Sequence, residues 1–151
     1  DGLRQVCLEA SQLNTDFLRG LKHCVVLGRG FGYAIAREIA LKLKEVCSIQ
    51  AEAFSSAEFI HGPVTLVEGE LAIINIEIND ESENIHHQQI DNVASRGAKV
   101  LTIKHPELML PYRVLPLFVM LRFYLDVELA AIELGFDPDA PPGLNKVTET
   151  I

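Results

Sequence analysis

Cys24-Val25-Val26-Leu27-Gly28-Arg29-Gly30-Phe31-Gly32, continued by Tyr33 to Val46, joins two periodicities through a glycine turn. The first part is a short unbroken apolar run, which suits a strand covered on both faces. In the second part Ile35, Ile39, Leu43 and Val46 fall on one stripe of a helix. The stretch therefore reads as strand, tight turn, helix. Its glycine spacing is G-x-G-x-G, and Tyr33 stands where the third glycine of the G-x-G-x-x-G dinucleotide fingerprint would fall, which argues against NAD binding. What remains is a helix N-terminus whose free N–H groups can face an anion or a sugar hydroxyl.

Working outward, Leu3, Val6, Cys7, Ala10, Phe17 and Leu18 recur near helical spacing and predict a first helix that stops at Gly20. Downstream, Phe54 to Ile60 reads as a short helical piece closed by His61-Gly62-Pro63. Leu71 to Ile78 is a β-branched run expected in a buried parallel strand, and Asp80 with Glu83 resembles a capping box opening a helix that runs to about Ser95 and stops at Gly97. Lys99 to Ile103 supplies another strand. After a loop punctuated by Pro106 and Pro111, Leu115 to Leu134 is apolar nearly all round, as a buried helix is. From Asp137 on, Pro138, Pro141 and Pro142 predict an extended C-terminal arm over residues 137–151. Strands alternating with helices predict an α/β fold, a doubly wound three-layer parallel sheet in one domain over residues 1–151, with ligand expected at the carboxyl ends of the strands.

Composition excludes several functions. A net charge of -8, with no basic run interleaved with aromatics, speaks against a nucleic-acid partner. No apolar stretch approaches the roughly 20 residues of a membrane-spanning helix. The three cysteines, Cys7, Cys24 and Cys47, are scattered and offer neither a disulfide framework nor metal-ligand spacing, so reduced thiols and a cytoplasmic setting are expected, without metal. A chain opening on Asp1 directly into a helical pattern reads as a segment of something longer.

Chemistry-bearing residues cluster after the glycine turn. Glu38, Lys42 and Glu45 lie at i, i+4 and i+7 and share one helix face, as an ion-pair ladder or as a catalytic carboxylate with a supporting ammonium. His61 is a surface histidine or a proton shuttle. The ordered stretches Ala40-Leu41-Lys42-Leu43-Lys44-Glu45, Ala51-Glu52-Ala53-Phe54 and Glu58-Phe59-Ile60-His61-Gly62-Pro63 resemble the second sugar-isomerase (SIS) subdomain of glucosamine-6-phosphate synthases and their deaminase relatives. Asp137-Pro138-Asp139 and Leu144-Asn145-Lys146-Val147-Thr148 resemble that family's C-terminal arm.

The resemblance implies a phosphosugar aldose–ketose isomerase that needs no cofactor. It assigns Glu45 as the carboxylate moving a proton between sugar carbons 1 and 2, His61 as a ring-opening histidine reaching in from the neighbouring subunit of a homodimer, and Lys146 as a lysine near the substrate carbonyl. Glu38, Lys42 and Asn145 match supporting, substrate-binding positions. The tail from Lys146 to Thr150 leans the expectation toward deamination of glucosamine 6-phosphate, with the isomerase domain of the synthase as the alternative. The family's phosphate-gripping S-x-S-G-x-T loop has no counterpart in this sequence. A phosphosugar-sensing SIS domain that binds without reacting, and a half that supplies only core and dimer surface, are the competing expectations.

Overall fold

The computed structural model describes residues 2–67, 69–107 and 110–144. In chain order the elements are α1 (Gly2–Leu8), α2 (Thr15–Leu18), β1 (His23–Gly28), α3 (Phe31–Cys47), β2 (Gln50–Ser55), α4 (Ser56–His61), β3 (Ala72–Glu77), α5 (Glu83–Ser95), β4 (Lys99–Lys104) and α6 (Leu115–Glu133). The four strands form one parallel sheet in the order β2-β1-β3-β4. The doubly wound α/β reading holds.

Alternation along the central strands divides the interior in two. Val26, Ile74 and Ile76 point into a core with Ala36, Ile39 and Leu43 of α3 and Val119 and Phe123 of α6. Val25, Leu27 and Ile73 point the other way, onto Phe59 of α4 and Ile90 and Val93 of α5. Side chains of period two, buried on both faces, oblige a helical layer on each side, and each buried Ile or Phe contributes about 2 kcal/mol toward that arrangement.

Several sequence expectations about the elements are corrected. Residues 50–55 form β2, although Phe54 to Ile60 read as helical. As an edge strand β2 exposes Gln50 and Glu52 and buries only Ala51, so it lacks the apolar run that betrays a central strand. The expected first helix is two helices, because the chain turns away over residues 9–14. The helix from Leu115 is not buried all round: Leu117, Leu129 and Ile132 are open to solvent, while its inward side holds a charged pair.

That pair ties the N-terminal turn to the body. Arg122 Nη2 and Asp126 Oδ1 lie 2.6 Å apart, with side chains 4% and 0% exposed. Asp126 Oδ2 accepts the N–H groups of Gln12 (2.8 Å) and Leu13 (3.1 Å), and Arg122 Nη1 donates to the carbonyls of Val6 (2.8 Å) and Glu9 (3.0 Å). The groups left over where the first helix breaks are thus met by α6.

The loops at the strands' carboxyl ends are equally determined. Gly30 has φ +53, and a Cβ there would run into the Asp80 carboxylate; one at Gly28 would overlap the carbonyl of Gly32. Asp80 does not form the expected capping box with Glu83. Its Oδ2 accepts the Phe31 N–H at the start of α3 (3.2 Å), its Oδ1 accepts the N–H (2.8 Å) and hydroxyl (2.6 Å) of Ser82, and Glu83 instead accepts from Asn79 (2.7 Å). The anion that the glycine turn could hold is the protein's own carboxylate.

Removing one member of a buried pair strands the other, at a cost of about 3–5 kcal/mol. Asp126→Ala is expected to lower the unfolding free energy by about that amount in urea titrations, with loss of hydrogen-exchange protection in residues 2–18. A loss below about 1 kcal/mol, the range of a surface pair, would show that the N-terminal segment is not held this way.

Candidate functional site

Glu38, Lys42 and Glu45 are on α3, whose buried stripe of Ile35, Ile39 and Leu43 turns them toward its flank, where α6 packs beside it. Lys42 Nζ donates to Glu45 Oε2 at 2.6 Å and stands 3.8 Å from Glu38 Oε1. From α6, the Tyr124 hydroxyl donates to Glu38 Oε1 at 2.7 Å. Lys42, Glu45 and Val46 of α3, Tyr124, Val127 and Glu128 of α6, and the segment holding Pro138, Asp139, Pro141 and Leu144 enclose a cleft of about 420 Å³. That volume is in the range of small-ligand sites.

The described part of the expected extended arm, residues 137–144, is folded into turns. The Ala140 N–H bonds the Asp137 carbonyl (3.3 Å) and the Leu144 N–H the Pro141 carbonyl (3.2 Å), which lays these residues along the cleft. Asn145 and Lys146 lie outside the described residues.

Electrostatics fixes two protonation states. The hydrogen bond to Glu45 holds the Lys42 ammonium above the usual lysine range, with burial opposing and the charges of Glu45 and then Glu38 adding to the rise. The Tyr124 phenol is pushed up mainly by its bond to Glu38. At neutral pH the cleft thus presents a lysine cation, a phenol that donates, and the Glu45 carboxylate with one oxygen fixed by Lys42. The Glu45 side chain is 25% exposed, which leaves a path for a bound molecule. Among the described residues no cluster of three or more His, Cys, Asp or Glu is placed to hold a metal ion, and no helix is long and apolar enough to cross a membrane.

His61 is not brought to this cleft. It ends α4 in the layer on the opposite side of the sheet, and it is exposed there. Nor does the cleft lie where a doubly wound sheet was expected to bind its ligand. The strand order reverses between β1 and β3, and a second cleft of about 500 Å³ does open there among Arg29, Gly30, Ser55, Asp80 and Ser82. The α3 N–H group available in it is already taken by Asp80. Glu45 belongs to the last turn of α3, toward the other end of the sheet.

Sequence reasoning missed Tyr124, Glu128 and Asp139 as cleft residues. Tyr124 carried no signal of its own, since an exposed phenol has no need of a partner within the protein. Also missed was a buried polar chain under α4 and α5: His86 Nε2 lies 2.7 Å from Asn75 Oδ1, His86 Nδ1 2.9 Å from Ser56 Oγ, and Ser56 Oγ 2.5 Å from Gln89 Oε1, while Asn75 Nδ2 donates to Thr102 Oγ1 (3.2 Å). It fastens the first residue of α4, the helix bearing His61, to α5 and β3.

With this geometry in view, the model of the SIS domain matches residues 17–107. The chain belongs to the SIS-domain family. It is 33% identical, over 154 aligned positions covering 92% of the chain, to the glutamine–fructose-6-phosphate aminotransferase [isomerizing] of Buchnera aphidicola, and spans 25% of that relative's length. Among solved structures it is similar to the C-terminal domain of glucosamine-fructose-6-phosphate aminotransferase from Francisella tularensis, with TM-score 0.76 and 28% identity over 90% of this chain and 42% of that one. It shares its fold, at TM-score 0.67 and 23% identity, with glucosamine-6-phosphate deaminase from Thermotoga maritima, over 96% of this chain and 44% of that one. The SIS family is one of phosphosugar-binding, isomerase-type domains, and the residues that line the cleft from α3 fall inside the matched segment.

Burial pushes the His86 imidazole down to about 4, with the charge of neighbouring His87 adding to the effect and the Ile76 backbone opposing. In the unfolded chain the same histidine titrates near 6.5. Between these values the unfolded state binds the extra proton, so stability conferred by neutral His86 is complete above pH about 6.5 and is lost as pH falls toward 4. The loss should reach about 2–3 kcal/mol. Urea midpoints measured from pH 7 to 4 should fall steeply in the wild type and less so in His86→Gln; parallel curves would remove His86 as the cause.

Proposed function

We propose that this SIS domain supplies the proton-carrying carboxylate of a phosphosugar aldose–ketose isomerase, with Glu45 as that group. The observation that carries the reading is the Lys42–Glu45 pair set in the wall of a cleft, rather than on open solvent. Interconverting an aldose and a ketose through an enediol moves a proton between adjacent carbons, and one carboxylate with a free edge can remove it from one and return it to the other. Lys42 holds one oxygen of that carboxylate at 2.6 Å and so fixes its plane.

The substrate class proposed is a phosphorylated hexose or aminohexose. Relatives at about a third identity are isomerising aminotransferases that act with glutamine and fructose 6-phosphate by their names, and this favours the isomerase domain of a glucosamine-6-phosphate synthase over the deaminase expected from the tail. The residues that leaned toward deamination, from Lys146 onward, lie outside the described residues. Because His61 sits across the sheet from Glu45, its participation requires a second copy whose α4 approaches the cleft, as the resemblance implies.

In a full-length protein containing this chain, Glu45→Gln is expected to reduce conversion of fructose 6-phosphate and glutamine to glucosamine 6-phosphate by about 10² to 10⁴, with folding preserved. Assaying ammonia release from glucosamine 6-phosphate beside it separates synthase from deaminase. Turnover within a few-fold of wild type would return Glu45 to a surface ion pair. For His61, mixing His61→Ala with Glu45→Gln subunits should regain activity that neither variant has alone, through sites that combine both intact residues. Demonstrated mixed dimers without such recovery would place His61 outside the site.

A further inference from the structure

Lys42 stands between two carboxylates, and the one it pairs with is not the one that the helix favours. Glu38 lies four residues toward the N-terminus, the arrangement in which a Glu–Lys pair on a helix is strongest, whereas Glu45 lies three residues toward the C-terminus, in the last turn, where the helix dipole disfavours a negative charge. Yet Nζ is 2.6 Å from Glu45 and 3.8 Å from Glu38. The difference is made from another element. Tyr124, on α6, donates its hydroxyl to Glu38 Oε1 at 2.7 Å, the same oxygen that faces Lys42.

We propose that Tyr124 is a positioning residue: by occupying Glu38, it assigns the Lys42 ammonium to Glu45. A carboxylate oxygen that already accepts a phenol is a weaker competitor for the ammonium, and its plane is turned by the α6 contact rather than by Lys42. Tyr124 also lines the cleft with Lys42 and Glu45, so the chain Tyr124–Glu38–Lys42–Glu45 runs along its wall. The value of this device for turnover rests on the reading of Glu45 as proton carrier; the pairing itself does not. In the wild-type protein the Glu45 hydrogen bond is the leading cause of the raised Lys42 titration and the Glu38 charge a minor one, the order that the assignment entails.

The test reads Lys42 directly. With lysine labelled at Cε, the base titration of Lys42 is followed by carbon NMR in the 151-residue chain, and methyl spectra verify the fold of each variant. In the wild-type background Glu45→Gln should lower the Lys42 midpoint by more than Glu38→Gln does. Tyr124→Phe removes one oxygen atom from a side chain that is 42% exposed, and is expected to leave the fold intact. In that background the order should invert, the Glu38→Gln shift becoming at least as large as the Glu45→Gln shift. If Glu45→Gln remains the larger in both backgrounds, Tyr124 does not set the pairing. Catalysis is not read, so the outcome is separate from that of the turnover assay: a Glu45→Gln protein that still turns over removes the proton carrier and leaves the pairing standing, whereas an unchanged titration order removes Tyr124's role and leaves Glu45 untouched.

Discussion

Everything in this molecule is arranged around β1 and β3 being apolar on both faces. A strand with one wet face can be covered from one side; Val25, Val26 and Leu27, like Ile73 and Ile74, must be covered from two. That demand creates two helical layers which share no side chains through the sheet, and it decides the geometry of function. Glu45 rides on one layer and His61 on the other. The sheet itself therefore stands between the two side chains.

Inside these layers, the main buried polar groups are tied down by specific partners. Asp126 receives Arg122 and two backbone N–H groups; Asp80 receives Phe31 and Ser82; His86 sits between Asn75 and Ser56. Each joins segments far apart in sequence at places where regular hydrogen bonding stops: a broken helix, a helix start, a strand-to-helix loop. The apolar cores give the layers their adhesion, and these polar links specify how the ends are fixed. Asp80 has a further consequence. Its carboxylate occupies the helix N-terminus at which a doubly wound sheet ordinarily grips an anion.

Legibility in the sequence followed the range of the interaction. The β1–turn–α3 unit, β3, α5 and β4 were readable because their apolar patterns are local to each element. β2 was not: its alternation of small Ala with Gln and Glu is too weakly apolar to set it apart from the start of α4. The break between α1 and α2 was hidden because its cause, Asp126, is more than a hundred residues away. Of the site, the shared face of Glu38, Lys42 and Glu45 follows from helical spacing alone. Which carboxylate holds Lys42 does not, since spacing favours Glu38 and only the approach of Tyr124 from α6 tips the choice.

That dependence ties the Glu38–Lys42–Glu45 face of α3 to the helix packed beside it. A negative charge near a helix C-terminus is disfavoured by the dipole, and a cation placed by contacts from outside the helix offsets that. α6 is fixed to α3 by Val119, Phe123 and Val127, so Tyr124 is delivered to Glu38 at a distance set by core packing. The same helix carries the buried Arg122–Asp126 pair, which restrains it from the other side. The orientation of the Glu45 carboxylate is thereby referred back, through Lys42, Glu38 and Tyr124, to the hydrophobic core, the most rigid part of the molecule. The proton-carrying role proposed for Glu45 would gain from that connection, because positional error of an ångström is costly to rate.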